Sequence, residues 1–211
     1  KAEVDAARRM AIRRHHSVTH LLNAALRKHL GMHVKQAGSL VAPDYLRFDF
    51  THNSAIDAET LAKIEATTAQ FIMEDHPVQT EVLPIDVARK RGAVAVFGEK
   101  YGEIVRVLTM GPHSVEFCGG THLARTGEVG PFVITAETSI AAGTRRIEAL
   151  AGEPAVAWHQ QMRARQDRVS RALSIKPDEL EARLSAMQEE IKQLRRDLSE
   201  LRQQQAAAAV K

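Results

Sequence analysis

Cys118-Gly119-Gly120-Thr121-His122, read together with His16-Ser17-Val18-Thr19-His20, decides how this sequence folds. Each pentapeptide spaces two metal-competent side chains four positions apart, so on a helix both would project from one face. Alone, an HxxxH also suits a surface or core histidine pair, and the chain has 10 histidines. The second pair, however, contains the only cysteine, and two glycines lie inside it, where backbone must approach something closely. Three imidazoles and one thiolate suit Zn2+, which takes Cys at about 2.3 Å and His at about 2.0 Å in a tetrahedron. The fold must then bring a helix and a strand or loop from distant parts of the chain together.

Outward from the first pentapeptide, residues 3–14 read as a charged helical lead-in. The helix continues through Leu21, Leu22, Ala25, Leu26 and Leu30 until Gly31 stops it. Residues 33–41 and 46–50 read as strands joined by a turn at Ala42-Pro43-Asp44. In the second strand Leu46, Phe48 and Phe50 alternate with Arg47 and Asp49, which gives one apolar and one polar face. A helix follows over 57–75, with Leu61, Ile64, Phe71 and Ile72 on one side, and His76-Pro77 ends it. Outward from the second pentapeptide, strands are expected at 78–83, 93–97, 104–110, 114–117, 132–137 and 144–150. Strand runs interleaved with two long helices define an α+β domain over 1–152, a mainly antiparallel sheet packed with long helices.

After Gly152 the composition changes. Leu180, Leu184, Met187, Ile191, Leu194, Leu198 and Leu201 repeat with spacings of four and three, the seam of a coiled coil. A preceding helix over 154–173 and the short Ser174-Ile175-Lys176 link predict a helical hairpin over 153–211, with Pro177-Asp178-Glu179 opening its second arm. Three heptads are marginal alone, so the arm needs a partner in cis or in trans.

The whole chain bounds these readings. At 211 residues and 44% hydrophobic content it belongs to the soluble globular class. One cysteine excludes an internal disulfide framework and fits a reducing compartment; the cytoplasm is expected. No apolar run is long enough to span a bilayer, and Lys1-Ala2-Glu3-Val4-Asp5 has no signal-peptide pattern and no initiator Met. The chain is therefore expected to be a piece of something longer. Net charge is +3, with basic pairs at Arg8-Arg9, Arg13-Arg14 and Arg145-Arg146. Such pairs are usually solvated faces, and phosphate recognition is the second reading.

Four donors could close a structural zinc site, whereas a catalytic one leaves a position open. Polar groups surround the pair: Thr19 and Thr121 inside the pentapeptides, Gln36 and Ser39 on the neighbouring strand. Each could satisfy local backbone, or together they could line a small polar pocket.

Several stretches resemble one family in order and spacing: His16xxxHis20, His33-Val34-Lys35-Gln36-Ala37-Gly38-Ser39-Leu40-Val41, Leu46-Arg47-Phe48-Asp49-Phe50, Phe97-Gly98-Glu99-Lys100-Tyr101-Gly102, Cys118-Gly119-Gly120-Thr121-His122 and Gly143-Thr144-Arg145-Arg146-Ile147-Glu148-Ala149. They resemble the editing domain of bacterial alanyl-tRNA synthetases, over residues 1–152. The arm after it resembles the linker that in these enzymes leads to a C-terminal domain; no segment here resembles the aminoacylation domain. The resemblance implies zinc held by His16, His20, Cys118 and His122, and hydrolysis of Ser-tRNA(Ala) and Gly-tRNA(Ala). It places Thr19, Gln36 and Ser39 at the amino acid, with Gln36 and the backbone of Gly119 and Gly120 aiding the reaction. Lys35, Arg47, Arg145 and Arg146 become candidates for the phosphates of the acceptor end, and Cys118 a ligand rather than a nucleophile. A second site is physically sensible: a pocket sized for alanine cannot keep out glycine, and rejects one added hydroxyl by only about a hundredfold. A zinc hydrolase of another small ester, or a zinc-stapled RNA-binding or dimerisation module, would share the same donors.

Overall fold

The computed structural model describes residues 3–95 and 101–208. It shows an α+β chain. Contacts divide it into two compact units, the first ending at Ala157 and the second beginning at Trp158.

Helix α1, Ala6–Leu30, begins where Asp5 accepts a hydrogen bond from the Arg8 amide at 2.9 Å. It ends at Gly31, whose φ of 111° is closed to most side chains. Arg27, Lys28 and His29 occupy its last turn, against the negative end of the helix dipole. Val18, Leu21, Leu22, Ala25 and Leu26 are fully buried. Helix α2, Ala58–Met73, is capped by Asp57, which accepts from the Thr60 amide and hydroxyl, both at 2.8 Å. It buries Ile64, Phe71 and Ile72, as the spacing requires.

Both helices pack with a four-stranded antiparallel sheet of order β1-β2-β7-β6, built from β1 (Gln36–Val41), β2 (Leu46–Thr51), β6 (Phe132–Ala141) and β7 (Thr144–Ala151). In β2, Leu46, Phe48 and Phe50 are fully buried and the residues between them are not, which is the alternation of a one-sided sheet. Burying each such side chain stabilises the fold by about 1.5–3 kcal/mol. Phe48 stands opposite Ile147, and Asp49 opposite Arg146. β6 extends past the expected residue 137 to Ala141, because it forms a hairpin with β7 across Ala142 and Gly143, the latter at φ 72°.

A second, three-stranded antiparallel sheet has the order β3-β4-β5, from β3 (Val78–Pro84), β4 (Ile104–Met110) and β5 (Ser114–Phe117). Helix α3, Ile85–Lys90, covers a small core of Ala88, Val105, Val107 and Phe117. Six residues are too few for helical periodicity, so α3 was not foreseen; nor was the 3-10 turn Thr126–Val129. Of the strand expected at 93–97, Val94 forms a single bridge to Glu116, while Val96 and Phe97 lie outside the described residues, as do Gly98, Glu99 and Lys100 of the glycine-containing motif.

Helix α4, Glu153–Leu173, starts after Gly152 at φ 66° and carries the boundary between the two units, five residues beyond the change in composition. Helix α5, Leu180–Ala208, follows a 3-10 turn at Pro177–Glu179, where Glu179 accepts from the Lys176 amide at 3.1 Å. The seam does not close against α4: Leu184, Ile191, Leu194, Leu198 and Leu201 are 46–59% exposed. No helix of the described residues is long and apolar enough to cross a membrane.

Candidate metal centre

One helical turn separates His16 from His20 on α1, and that turn faces the segment leaving β5. His20 and His122 are buried, His16 and Cys118 half-buried, and one donor atom from each of the four lies within 4.8 Å of every other. The Cys118 Sγ is 3.2 Å from His122 Nε2 and 3.5 Å from His16 Nε2. The first pentapeptide reaches this point by helical spacing; the second does so as a loop. Gly120 explains how. A Cβ there would stand 2.0 Å from His16 Cε1, so only glycine lets the backbone pass beneath the imidazole, whereas at Gly119 a Cβ would meet nothing within 4 Å among the described residues.

Hydrogen bonds hold the loop from both sides. The Arg106 guanidinium donates through Nη1 to the carbonyls of Cys118 at 2.9 Å and Gly120 at 2.7 Å. Arg13 donates to the His122 carbonyl, and the Leu123 amide donates to Ser17 Oγ at 3.1 Å. Ser17 Oγ also lies 3.4 Å from His122 Nδ1, inside the first pentapeptide and against the second.

Glu116 is the functional residue that sequence reasoning missed. Its Oε2 lies 2.7 Å from His20 Nδ1, while Oε1 accepts from Asn23 Nδ2 at 2.9 Å and Ser114 Oγ at 3.1 Å. A carboxylate on Nδ1 fixes the ring's orientation and raises the basicity of the opposite nitrogen. That nitrogen, His20 Nε2, is buried without a hydrogen-bond partner among the described residues. The signal was present: in a strand, Ser114 and Glu116 share a face, and Cys118 continues that alternation.

Burial and close pairing set the charge on the donors. Burial opposes a charged His20, but Glu116 and the Cys118 sulfur outweigh it and push the ring up to about 10. Burial would likewise raise the Cys118 thiol, yet hydrogen bonding to His122 and His16 and the nearby charge of His20 pull it down to about 3. His122 is lowered by burial to about 4, and so stays neutral. The thiolate and the neutral His122 ring are ready to bind a metal ion, whereas His20, held protonated by Glu116 and the sulfur, would give up its Nε2 proton on binding one. The four residues could hold one, and the donor set fits zinc.

Around this centre the structure places the remaining predicted residues variously. Thr19 is buried, and its hydroxyl donates to the His15 carbonyl at 2.7 Å, a bond within α1. Thr121 is exposed. Gln36 and Ser39 lie on edge strand β1, where Gln36 Nε2 donates to Ser39 Oγ at 3.1 Å; neither bonds to the four donors among the described residues. Gly119 is exposed and borders a cavity of about 270 Å³ that opens onto Cys118 between Tyr101, Arg106 and Phe117. Lys35 is exposed just before β1, and Arg47 is half-buried, its Nε unpartnered among the described residues. Both remaining arginines are held by carboxylates through two bonds each: Arg145 by Glu137 at 2.5 and 2.6 Å, Arg146 by Asp49 at 2.6 and 2.7 Å.

Residues 105–148, from β4 through most of β7, match the family described as the threonyl and alanyl tRNA synthetase second additional domain. That stretch contains Cys118, His122 and Glu116; α1, with the other two donors, precedes it. Over nearly its whole length the chain is similar to alanine-tRNA ligases of bacteria. It is 47% identical to that of Halorhodospira halophila over 208 residues, 99% of this chain and 24% of the relative. With that of Bordetella petrii it shares 48% over 208 residues, again 99% of the chain and 24% of the relative. With that of Nitratidesulfovibrio vulgaris it shares 50% over 190 residues, 90% and 22%. The chain is thus similar, over nearly all of its length, to a segment of bacterial alanine-tRNA ligases that includes this additional domain, and it spans about a quarter of the length of the curated relatives it matches.

Proposed function

We propose that this chain is an editing module that hydrolyses the ester of tRNA(Ala) wrongly joined to serine or glycine, at a zinc site formed by His16, His20, Cys118 and His122. The observation that carries the proposal is the buried three-histidine, one-thiolate group beside an open cavity, in a chain with this similarity. When bound, zinc would supply positive charge to polarise the ester carbonyl or an attacking water, or would template the substrate.

The chain's own residues do the rest. An aminoacyl ester is already activated, so it needs an aimed water and donors for the oxyanion. The backbone N–H groups of Gly119 and Gly120 are the proposed donors, on a loop that Arg106 holds from behind. Gln36, with Ser39, orients the water. Thr19, whose proton is committed to His15, keeps acceptor lone pairs for a seryl hydroxyl. A site that must bond that hydroxyl refuses alanine, because its polar groups would be left unpaired. Lys35 and Arg47 meet acceptor-end phosphates, joined by Arg145 and Arg146 through the N–H groups their carboxylates leave over. In this reading residues 1–152 form the editing domain, residues 153–211 the arm that leads to a further domain, and the module works in the cytoplasm. The arm's open seam receives a second helix in cis or in trans.

The test is release of amino acid from Ser-tRNA(Ala), Gly-tRNA(Ala) and Ala-tRNA(Ala), with and without a zinc chelator. Cleavage of the first two alone, abolished by the chelator, is the expected result. The four-donor count favours one second reading, a metal that only staples α1 to the β5 loop. Stoichiometric zinc with no cleavage at saturating tRNA would decide for it.

A further inference from the structure

We propose that Glu74, His76 and His113 form a second divalent-cation site, of the two-histidine, one-carboxylate type, on the opposite end of β5 from Cys118. One donor atom from each residue lies within 4.8 Å of the others. Glu74 Oε2 stands between the two rings, 3.1 Å from His76 Nε2 and in a short contact with His113 Nε2. The other oxygen, Oε1, accepts from Gln70 Nε2 at 2.9 Å, which leaves a single oxygen to face the imidazoles.

Two segments supply the donors, the link from α2 to β3 and the turn from β4 to β5, and each is fixed by contacts of its own. Glu74 caps the C-terminus of α2. Asp75 follows at φ 50°, a left-handed conformation unusual for a residue with a side chain, and turns the chain so that His76 points back toward Glu74. Asp75 is held there by Arg125 and by the Gly127 amide, which donates to it at 3.1 Å. The His76 amide donates to Thr126 Oγ1 at 2.9 Å, and its ring lies over Gly111, where a Cβ would come within 2.5 Å. His113, in the β4–β5 turn, stacks on Phe71 with centroids 3.7 Å apart. Side-chain exposures of 34% for His76, 19% for His113 and 30% for Glu74 leave the group open to an ion from solvent.

Two imidazoles and one carboxylate select borderline first-row cations such as Zn2+, Co2+ or Ni2+, and three protein donors leave positions for water. Such a site differs from the buried one in lacking sulfur, and that difference makes the two separable.

The test uses the full chain, stripped of metal and titrated with Co2+, with bound metal also counted after dialysis against Zn2+. Two equivalents are expected: one brings the thiolate charge-transfer band of Cys118, the other adds only weak ligand-field absorption. Glu74→Ala and His113→Ala should each lose one equivalent and keep the thiolate band; Cys118→Ser should lose the band and keep one equivalent. His113→Ala removes the stack on Phe71, so if it fails to fold, Glu74→Ala at the exposed helix end decides. Uptake by the unaltered chain of only the equivalent that brings the thiolate band, or a band-free equivalent retained in Glu74→Ala, would overturn the proposal.

Discussion

Two groups of histidines on this chain use a carboxylate in opposite ways. In the buried group Glu116 stands behind a ring, on His20 Nδ1, and among the described residues leaves Nε2 unpartnered. In the exposed group Glu74 stands in front, between His76 Nε2 and His113 Nε2. The side chains of His20 and Glu116 are 6% and 8% exposed, those of His76 and Glu74 34% and 30%. In the low dielectric of the first site a carboxylate can set the state of a ring it orients, whereas near the surface its influence is shared with solvent. Position behind or before the ring decides whether a carboxylate tunes a ligand or is one.

The hardest way to break this contrast is to remove the sulfur. Cys118→Ser should lower zinc affinity by more than about a hundredfold, beyond what losing a supporting partner costs, and should abolish chelator-sensitive deacylation. Competition with a calibrated chelator measures the first, and release of serine from Ser-tRNA(Ala) the second.

Next in size is the carboxylate behind the ring. Glu116→Gln keeps the shape and the contacts with Asn23 and Ser114, but withdraws the charge from His20 Nδ1. Zinc affinity should fall about 10–100-fold, with the far-ultraviolet spectrum unchanged. An affinity equal to that of the unaltered chain would show that Glu116 only fills space. Steric fit can be tested beside it with a matched pair of glycines. Gly120→Ala places a methyl group against His16 and should cost about 1–3 kcal/mol in chemical denaturation, whereas Gly119→Ala, with no described residue within 4 Å of the new Cβ, should cost little. Equal costs would remove close approach as the reason for the glycine.

Much of this contrast was legible in the sequence, and the exceptions share a cause. Helix α1 could be read because caps, apolar spacing and Gly31 agree, and β2 because Leu46, Phe48 and Phe50 alternate. The four donors were legible by residue type and spacing, although Cys118 and His122 converge as a loop rather than as a helical face. Glu116 was missed because its partner lies 96 residues away, and Glu74 because nothing local joins it to His113. The arginine pair was read as free charge; strand register puts Asp49 opposite Arg146, and only pairing across the sheet reveals the neutralisation. The heptads of α5 announced an apolar seam, while what covers it depends on elements beyond that pattern.

His29 offers the mildest test, because it belongs to neither group and pairs with no carboxylate among the described residues. It joins α1 to α2 through a 2.8 Å hydrogen bond between Nε2 and Thr67 Oγ1, and Lys28 and Lys63 flank it. Burial, followed by these two cations, lowers its pKa below the ordinary 6.5. The folded state therefore favours the neutral ring more than the unfolded chain does. Its contribution is fully present above about pH 6.5 and is lost as pH falls, because the unfolded chain takes up the proton first. A partly exposed group screened by solvent should contribute less than about 1 kcal/mol. Denaturation midpoints at pH 7.5 and 5.5 should thus draw slightly closer in His29→Gln than in the unaltered chain. If the variant instead widens the gap, His29 gains a charge on folding, and a carboxylate rather than burial governs it, as in the two groups it is meant to contrast with.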